Sequence, residues 1–583
     1  MVVESGRGSE QYRPDLTIGS DGTLWVAWDA WRERSYQVFV SRLEKSGWTA
    51  PQNVSANPGY DCYRPKCAAA PSGDIWVTWN AVSRGDPRWG TAISRIGLDH
   101  TQTSVVPPGF VPNATNFAEI TLDAQGRPWV LWQERELRRT WTVFAACLGE
   151  DGWAGPYVVL EEGQDARQFA PSAEQSGNGG LCIVWSSGVP VASSIPVDRM
   201  ENLDRSAFAR EPIDWTILSP AGFSGHPTAS NRGLVRRDKK TYHLYWGDFH
   251  NHSEISDGRQ PIDHAFALAR DVYGLDFFCT ADHDAGITEG EWRLTQAISS
   301  CMNEPGRFVS FAGYESSDSW AKEGVGHRNV VYPDDHSTVC RFREGTRLDE
   351  LLRCVGAQRG IAIPHHVGKW FAPVDWNQFD AVVQPIVEIC SAHGVFEYFG
   401  NPSKQRSDLV PIPLVDRSRS PVEGSFVQDG WARGLRFGVV GSTDSHINHS
   451  YGIRGMALAA VYAEDLTREG LFEAFRARRT YGTTGVRAIM DFRVNGHLMG
   501  EEFELERGKN VSVTVDVEAP VRIQRLDIVR DNETVYSKVV DGHWAGFSWR
   551  DSDPSPYSTY YYARVVMEGD NYAWSSPVWI DWE

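Results

Sequence analysis

The sequence predicts a multidomain protein. Propeller-like all-β repeats are expected over residues 1–235, an α/β domain over 236–485 and a β-sandwich over 486–583. Three observations carry this. A strand-and-turn unit recurs about every fifty residues at the start of the chain. Strands alternate with helices in the middle. The helical pattern then disappears over about the last hundred residues. A chain of 583 residues also exceeds what one hydrophobic core covers.

The repeats come first. "LWVAWDA", "IWVTWNA", "PWVLWQE" and "LCIVWSS" each alternate as a strand does, and each follows a turn signal. Their last tryptophans, Trp28, Trp79, Trp132 and Trp185, are spaced by 51, 53 and 53 residues. An upstream element recurs too, as "YRPDLTI", "YRPKCAA", "FAEITLD" and "FAPSAEQ". Stacked sheets of a propeller explain this period. The tryptophans are expected to pack the blades; the alternative is an aromatic platform for sugars. Residues 190–235 are a candidate degenerate fifth repeat.

The middle reads differently. Helices are expected over 261–274, 347–360 and 466–482, the first opened by Pro261 and stopped by Gly274. The last segment, including "NVSVTVDVEA" and "STYYYARVVMEG", alternates as short strands of a sandwich.

The net charge of −19 argues against nucleic acid and anionic membranes as partners. "MVVESGRGSE" has no basic start followed by an apolar run, so a cytoplasmic protein is expected. The nine cysteines are scattered and contain no CxxC, which predicts mostly reduced, buried thiols.

Twelve of the sixteen histidines lie between His243 and His449. Seven apolar, strand-like runs cross that span, and metal-ligand residue types sit at or beside most of their ends. These are His250 and His252, Asp282 and His283, Glu315, His365 and His366, His393, and Asp444 and His446; His327 stands instead at the start of its run. Side chains two apart on a strand face the same way, so His250 and His252 can grip one ion. So many titratable groups buried without a cation would be costly. Lone His264 and His336 are left out as helix or surface residues. Asp248, with the parity of His250 and His252, is expected to orient a ligand histidine.

These residues carry a resemblance. "GDFHNHSEISDG", "TADHD", Glu315, "IPHH" and "GSTDSH" resemble the successive metal motifs of the PHP (polymerase and histidinol phosphatase) superfamily. With "GHRNVVY", "VEICSAHG" and "LTREGLFEAFRARRTYGTTG", the pattern is similar to the DUF3604 group within it. The resemblance implies a distorted (β/α)7 barrel and two to three divalent ions per chain, zinc, manganese or iron. It implies that His250, His252, Glu315 and Asp444 hold one ion, that Glu315 bridges to a second held by His327 and by His365 or His366, and that Asp257, His283 and His446 hold a third. His393 is a substitute ligand, an acid/base or a substrate contact.

Clustered divalent ions acidify bound water and clamp phosphoryl oxygens, so the expected activity is metal-dependent hydrolysis, most of all of a phosphoester. Glu315, Asp444, His393 and Arg328 are the candidate catalytic residues, with Arg328, Lys322 or Arg454 available to offset developing negative charge. One alternative is hydrolysis of C–N or C–O bonds in a modified sugar, amide or polymer. Another is metal or carbohydrate binding without turnover. The expected substrate is a small or oligomeric anion or carbohydrate.

Overall fold

The computed structural model describes residues 10–55, 60–83, 89–99, 101–105, 115–135, 141–150, 152–161, 172–175, 181–186, 190–195, 234–237, 240–258, 260–284, 287–317, 325–341, 347–401, 421–446, 457–555 and 557–583. The chain is mostly β, with few helices among these residues, and divides into two compact units, 1–223 and 224–583.

The first unit contains four antiparallel sheets in sequence order, over residues 10–53, 60–105, 115–161 and 172–195. The opening strand of each of the three later sheets packs against the sheet before it. The recurring upstream element has a structural meaning. In the strands Glu10–Ile18, Tyr60–Ala69 and Thr115–Leu122 the ladder shifts register at Tyr12/Asp15, Tyr63/Lys66 and Asn116/Glu119. A repeated bulge bends each opening strand at the same place. Trp28, Trp79 and Trp132 are buried, so they pack the sheets and form no exposed sugar platform. The Trp185 side chain and most of the fifth-repeat segment lie outside the described residues.

The second unit holds a 14-stranded sheet and two smaller ones. Lys240–Asp248, Phe277–Cys279 and Val309–Phe311 pair in parallel, as do Ile386–Ser391 and Gly438–Gly441. Strand–helix alternation predicts parallel pairing throughout, and here the structure differs. His327–Val331 runs antiparallel to both Gly313–Ser316 and Ile361–His365, and Leu458–Ala463 runs antiparallel to Lys240–Asp248. Ten residues, 317–326, separate Gly313–Ser316 from His327–Val331, fewer than a parallel crossover requires, which suits their antiparallel pairing.

Phe249, Phe277, Phe311, Val331, Ile363 and Val461 form a common core with Leu471, Phe472 and Phe475 of the helix Arg468–Arg476. That helix ends before the strand Thr480–Thr483, where the apolar period extends a helix to 482. Leu348–Ala357 is helical as expected, and Ile262–Ala267 runs on as a π-helix over Leu268–Val272. Glu289–Met302 is a helix the periodicity missed, although Thr288 and Glu291 form a capping box at its start.

The C-terminal strands join the large sheet where Asn571–Ser575 pairs with Thr480–Thr483. Val511–Arg530 and Glu533–Asp551 make a long hairpin whose turn, Asp531-Asn532, has φ of 47° and 71°. Two such residues in succession suit the right-handed twist of the flanking strands.

Cys340 and Cys354 form a disulfide, which corrects the expectation of reduced thiols for this pair. Their separation of 14 residues matches no cysteine motif. Cys62, Cys67, Cys147, Cys279 and Cys390 are buried thiols and Cys301 is exposed. Among the described residues no helix is long and apolar enough to cross a membrane.

Candidate metal centre

The centre forms where strands run out and their extensions pair by single bridges. Beyond Lys240–Asp248, Asn251 bridges to Ser445; His252 N donates to Ser445 O at 2.8 Å and Ser445 N to His250 O at 3.3 Å. This sets His250 and His252 beside Asp444 and His446. In the same way His283 bridges to Glu315, with Asp284 N donating to Glu315 O at 2.8 Å and Glu315 N to Asp282 O at 2.9 Å. The antiparallel strand explains His327. Its start lies against the C-terminal end of its neighbour, with His327 in register with His365. Six strand ends thus deliver donors to one place, although not all strands run the same way.

Acids fix the backbone around these donors. Asp248 accepts from His250 N at 3.1 Å, Thr443 N at 3.0 Å and Thr443 Oγ1 at 2.6 Å. Asp248 therefore ties two ligand-bearing segments together. Asp282 accepts from Ser253 N, Ser253 Oγ and Ser256 Oγ, each at 2.7 Å, and so folds the loop that carries Asp257. Gly258 closes that loop: a Cβ there would lie 2.2 Å from His252 O.

The donor atoms are spaced as ligands are. His250 Nε2 lies 3.4 Å from Glu315 Oε2 and 3.4 Å from Asp444 Oδ1. His252 Nε2 lies 3.2 Å from Glu315 Oε2 and 3.4 Å from Asp444 Oδ1. Two donors bound to one ion at about 2.1 Å stand about 3.0–3.5 Å apart. His250 Nε2 and His252 Nε2 are buried and make no hydrogen bond, as are Asp444 Oδ2 and Asp257 Oδ1. Unpaired buried polar atoms of this number demand a partner.

A second group is His252, Asp257, His283 and His446. Asp257 Oδ1 lies 3.2 Å from His446 Nε2 and 3.4 Å from His283 Nε2. On the other side of Glu315, Oε1 lies 2.8 Å from His327 Nδ1 and 3.2 Å from His365 Nε2. Glu315 thus presents one oxygen to His250 and His252 and the other to His327 and His365. His366 also turns inward, its ring 4.3 Å from that of His365, and groups with His250, Glu315 and His365. His393 Nε2 lies 2.9 Å from Asp444 Oδ2.

The electrostatics follow from burial and proximity. Burial pushes His252 down, but Asp444 and Glu315 overcome it and hold the imidazole at about 10. His250 is raised well above its ordinary value, burial being outweighed by Asp444 and Glu388. Burial, with His250 close by, pushes His365 down to about 3. Burial would raise Glu315, but His283 and His365 bring it well below the carboxylate range. Without a cation the centre balances its carboxylates by taking protons; metal would replace them.

Of the sequence-predicted residues, the structure brings together His250, His252, Asp257, His283, Glu315, His327, His365, His366, His393, Asp444 and His446. It does not bring Arg328 to them. That side chain is buried and donates to Val325 O at 2.5 Å and Gly326 O at 3.0 Å. Lys322 and Arg454 lie outside the described residues, and so does His449.

Two residues were missed. Glu388, fully buried on Ile386–Ser391, accepts from His250 Nδ1 at 3.0 Å and so presents Nε2 to the other donors. Burial pushes Glu388 up to about 7, with His250 opposing. Its signal was a lone acid in the apolar run "PIVEICS". Lys369 is 6% exposed, and its ammonium makes no hydrogen bond or ion pair among the described residues. Burial lowers its pKa while the charge of Asp444 opposes.

Comparison with known proteins agrees with part of this picture. The family "Protein of unknown function (DUF3604)" matches residues 275–367 and 448–519. An uncharacterized protein of Chlamydia pneumoniae is 26% identical over 364 residues, 58% of this chain and 57% of that protein. One from Chlamydia trachomatis is 26% identical over 367 residues, 58% of each chain. The match therefore spans less than two thirds of these relatives' length. Among solved structures, a two-domain protein of Bacteroides vulgatus, described as containing a "predicted PHP-like metal-dependent phosphoesterase", is 16% identical with a TM-score of 0.33. It covers 57% of this chain and 96% of that one. An endo-arabinase of Bacteroides thetaiotaomicron is 14% identical with a TM-score of 0.24, covering 41% of this chain and 89% of that one.

Proposed function

We propose that this protein is a metal-dependent hydrolase whose substrate is a phosphoester. The observation that carries the reading is the set of buried, unpaired donor atoms, His250 Nε2, His252 Nε2, Asp257 Oδ1 and Asp444 Oδ2, at ligand spacing. An all-N/O donor set suits zinc, manganese or iron. His250, His252, Glu315 and Asp444 would hold one ion, Glu315, His327 and His365 a second, and Asp257, His283 and His446 a third. Bound there, such ions supply an acidified water and a clamp for two substrate oxygens.

The chain's own residues then have distinct tasks. Glu315 holds the donors of two ions at a fixed spacing through its two oxygens. Glu388 keeps His250 in one tautomer, with Nε2 free to ligate. Lys369 adds a positive charge close to Asp444, and an ammonium beside the centre favours an anionic phosphoryl group over a neutral sugar. The strands from Lys240–Asp248 round to Thr480–Thr483 support reading this part as a distorted (β/α)7 barrel with the centre at one end.

Metal analysis of the full chain, followed by a panel of phosphomonoesters, phosphodiesters, amides and glycosides with the native metal retained, tests this. The expected result is two to three ions per chain and turnover of a phosphoester, with His250→Ala losing at least one ion. Metal-loaded protein that cleaves amides or glycosides and no phosphoester would overturn the substrate class. Full metal occupancy in His250→Ala would overturn the ligand assignment.

A further inference from the structure

Two residues of the centre have left-handed backbones, His366 with φ 50° and Asp444 with φ 54°. Residues with a Cβ adopt this conformation only where their surroundings hold them there. At His366 the consequence is specific. Neighbouring side chains on an extended strand point to opposite faces, yet His365 and His366 both turn into the centre. At Asp444 the carboxylate faces two ways. Oδ1 lies 3.4 Å from both His250 Nε2 and His252 Nε2, and Oδ2 lies 3.4 Å from His366 Nε2 and 2.9 Å from His393 Nε2.

The second side of Asp444 has the marks of a ligand set. One donor atom from each of His366, His393 and Asp444 lies within 4.8 Å of the other two. Despite the 2.9 Å approach of His393, Asp444 Oδ2 is buried without a hydrogen bond. Atoms this close without an aligned hydrogen bond are spaced as two ligands of one ion are. In the assignment proposed above the second ion takes His365 and not His366, and no position uses His393 or this oxygen.

We propose that His366, His393 and Asp444 Oδ2 form a further divalent-cation subsite, bridged through Asp444 to the ion of His250 and His252. This rests on the reading of the neighbouring donors as a metal centre. Three protein donors leave coordination positions open, as in sites that exchange water for substrate. The open side is the one that reaches solvent: the His393 side chain is 24% exposed, whereas those of His366 and Asp444 are 4% and 2% exposed. Phe371 walls one flank, its ring 5.7 Å from His366 and 5.6 Å from His393. Two imidazoles and one carboxylate oxygen shared with the neighbouring ion carry less charge than the set of His250, His252, Glu315 and Asp444, so this ion binds more weakly than the one it is bridged to.

The test is anomalous diffraction from crystals of the full chain grown with excess Mn²⁺ or Zn²⁺, with metal counted in solution in parallel. The expected result is a peak among His366, His393 and Asp444 that disappears before the one at His250/His252 when free metal is lowered. His393→Gln should lose that peak and one equivalent of metal per chain, with the peaks at His250/His252 and at Asp257/His283/His446 retained. Because the His393 side chain is partly exposed, this variant is expected to fold, and the retained peaks report that it has. Peaks at the other positions with none here, at saturating Mn²⁺ and Zn²⁺, overturn the subsite and leave the metal centre standing. No peak anywhere overturns both.

Discussion

Buried carboxylates are stabilised in opposite ways in the first unit and at the candidate metal centre of the second. In the first unit Asp29 is fully buried, and its two oxygens accept from Arg13 Nε and Nη2 at 2.7 Å and from Arg64 N at 2.7 Å. Asp123 is likewise held by Arg127 and Trp129. At the candidate metal centre Asp444 and Glu315 face imidazole nitrogens at 2.8–3.6 Å and, among the described residues, no arginine. The first arrangement is complete as it stands, because a guanidinium matches a carboxylate in charge and shape. The second is complete only with a cation or with borrowed protons. Burial of an acid therefore says little about function until its partners are named.

The largest effect is expected where that difference is greatest. Glu315→Gln keeps the side chain's shape and removes the charge shared by two groups of donors. Metal content should fall by at least one ion per chain and turnover should be lost, while circular dichroism stays that of the native protein. Near-normal turnover in this variant on a confirmed substrate would break the comparison. Glu388→Gln should act less severely, since it disturbs the support of one ligand. Metal affinity should fall about 10–100-fold, read by competition with a chromogenic chelator. An unchanged affinity would mean that the contact to His250 Nδ1 does not orient the ring.

Acidity offers a graded version of the same test. His250 and His252 hold protons in the metal-free centre, His252 up to about pH 10. A ligating nitrogen must give its proton up, so protons and metal compete. Affinity should rise with pH between 6 and 9, by about tenfold per unit for each proton displaced. Calorimetry in buffers of different ionisation enthalpy should show proton release on binding, and a flat profile with no release would contradict the assignment. The smallest effect on the centre is expected from the first unit. Asp29→Asn should cost about 1–3 kcal/mol in stability, because Arg13 is only partly buried, and should leave metal content unchanged. Denaturant titration with metal analysis of the same sample reads both outcomes.

Much of the centre was legible because donors at strand ends are a pattern of residue types. What escaped depended on how strands pair. His327 at the start of its run makes sense only once that strand is antiparallel to its neighbours. Asp248 had the parity of an imidazole-orienting acid, but its contacts with Thr443 N and Oγ1, 195 residues away in sequence, could not be read from that parity. Glu388 left a trace, an acid in an apolar strand, whereas Lys369 left none, because its burial arises from the turn after His366. In the first unit the tryptophan period was legible because each repeat folds locally into one sheet. The Cys340–Cys354 bond and the parallel or antiparallel choice were not, since both depend on which segments meet.

The central claim is that the donors around Glu315 and Asp444 exist to hold divalent cations. Equilibrium dialysis of the full chain against micromolar Zn²⁺ or Mn²⁺ at pH 7.5, with His252→Ala dialysed beside it, tests this most directly. The account predicts at least two tightly held ions per wild-type chain and at least one fewer in the variant. A wild-type chain that retains no ion, or a variant that retains as many as the wild type, would contradict it.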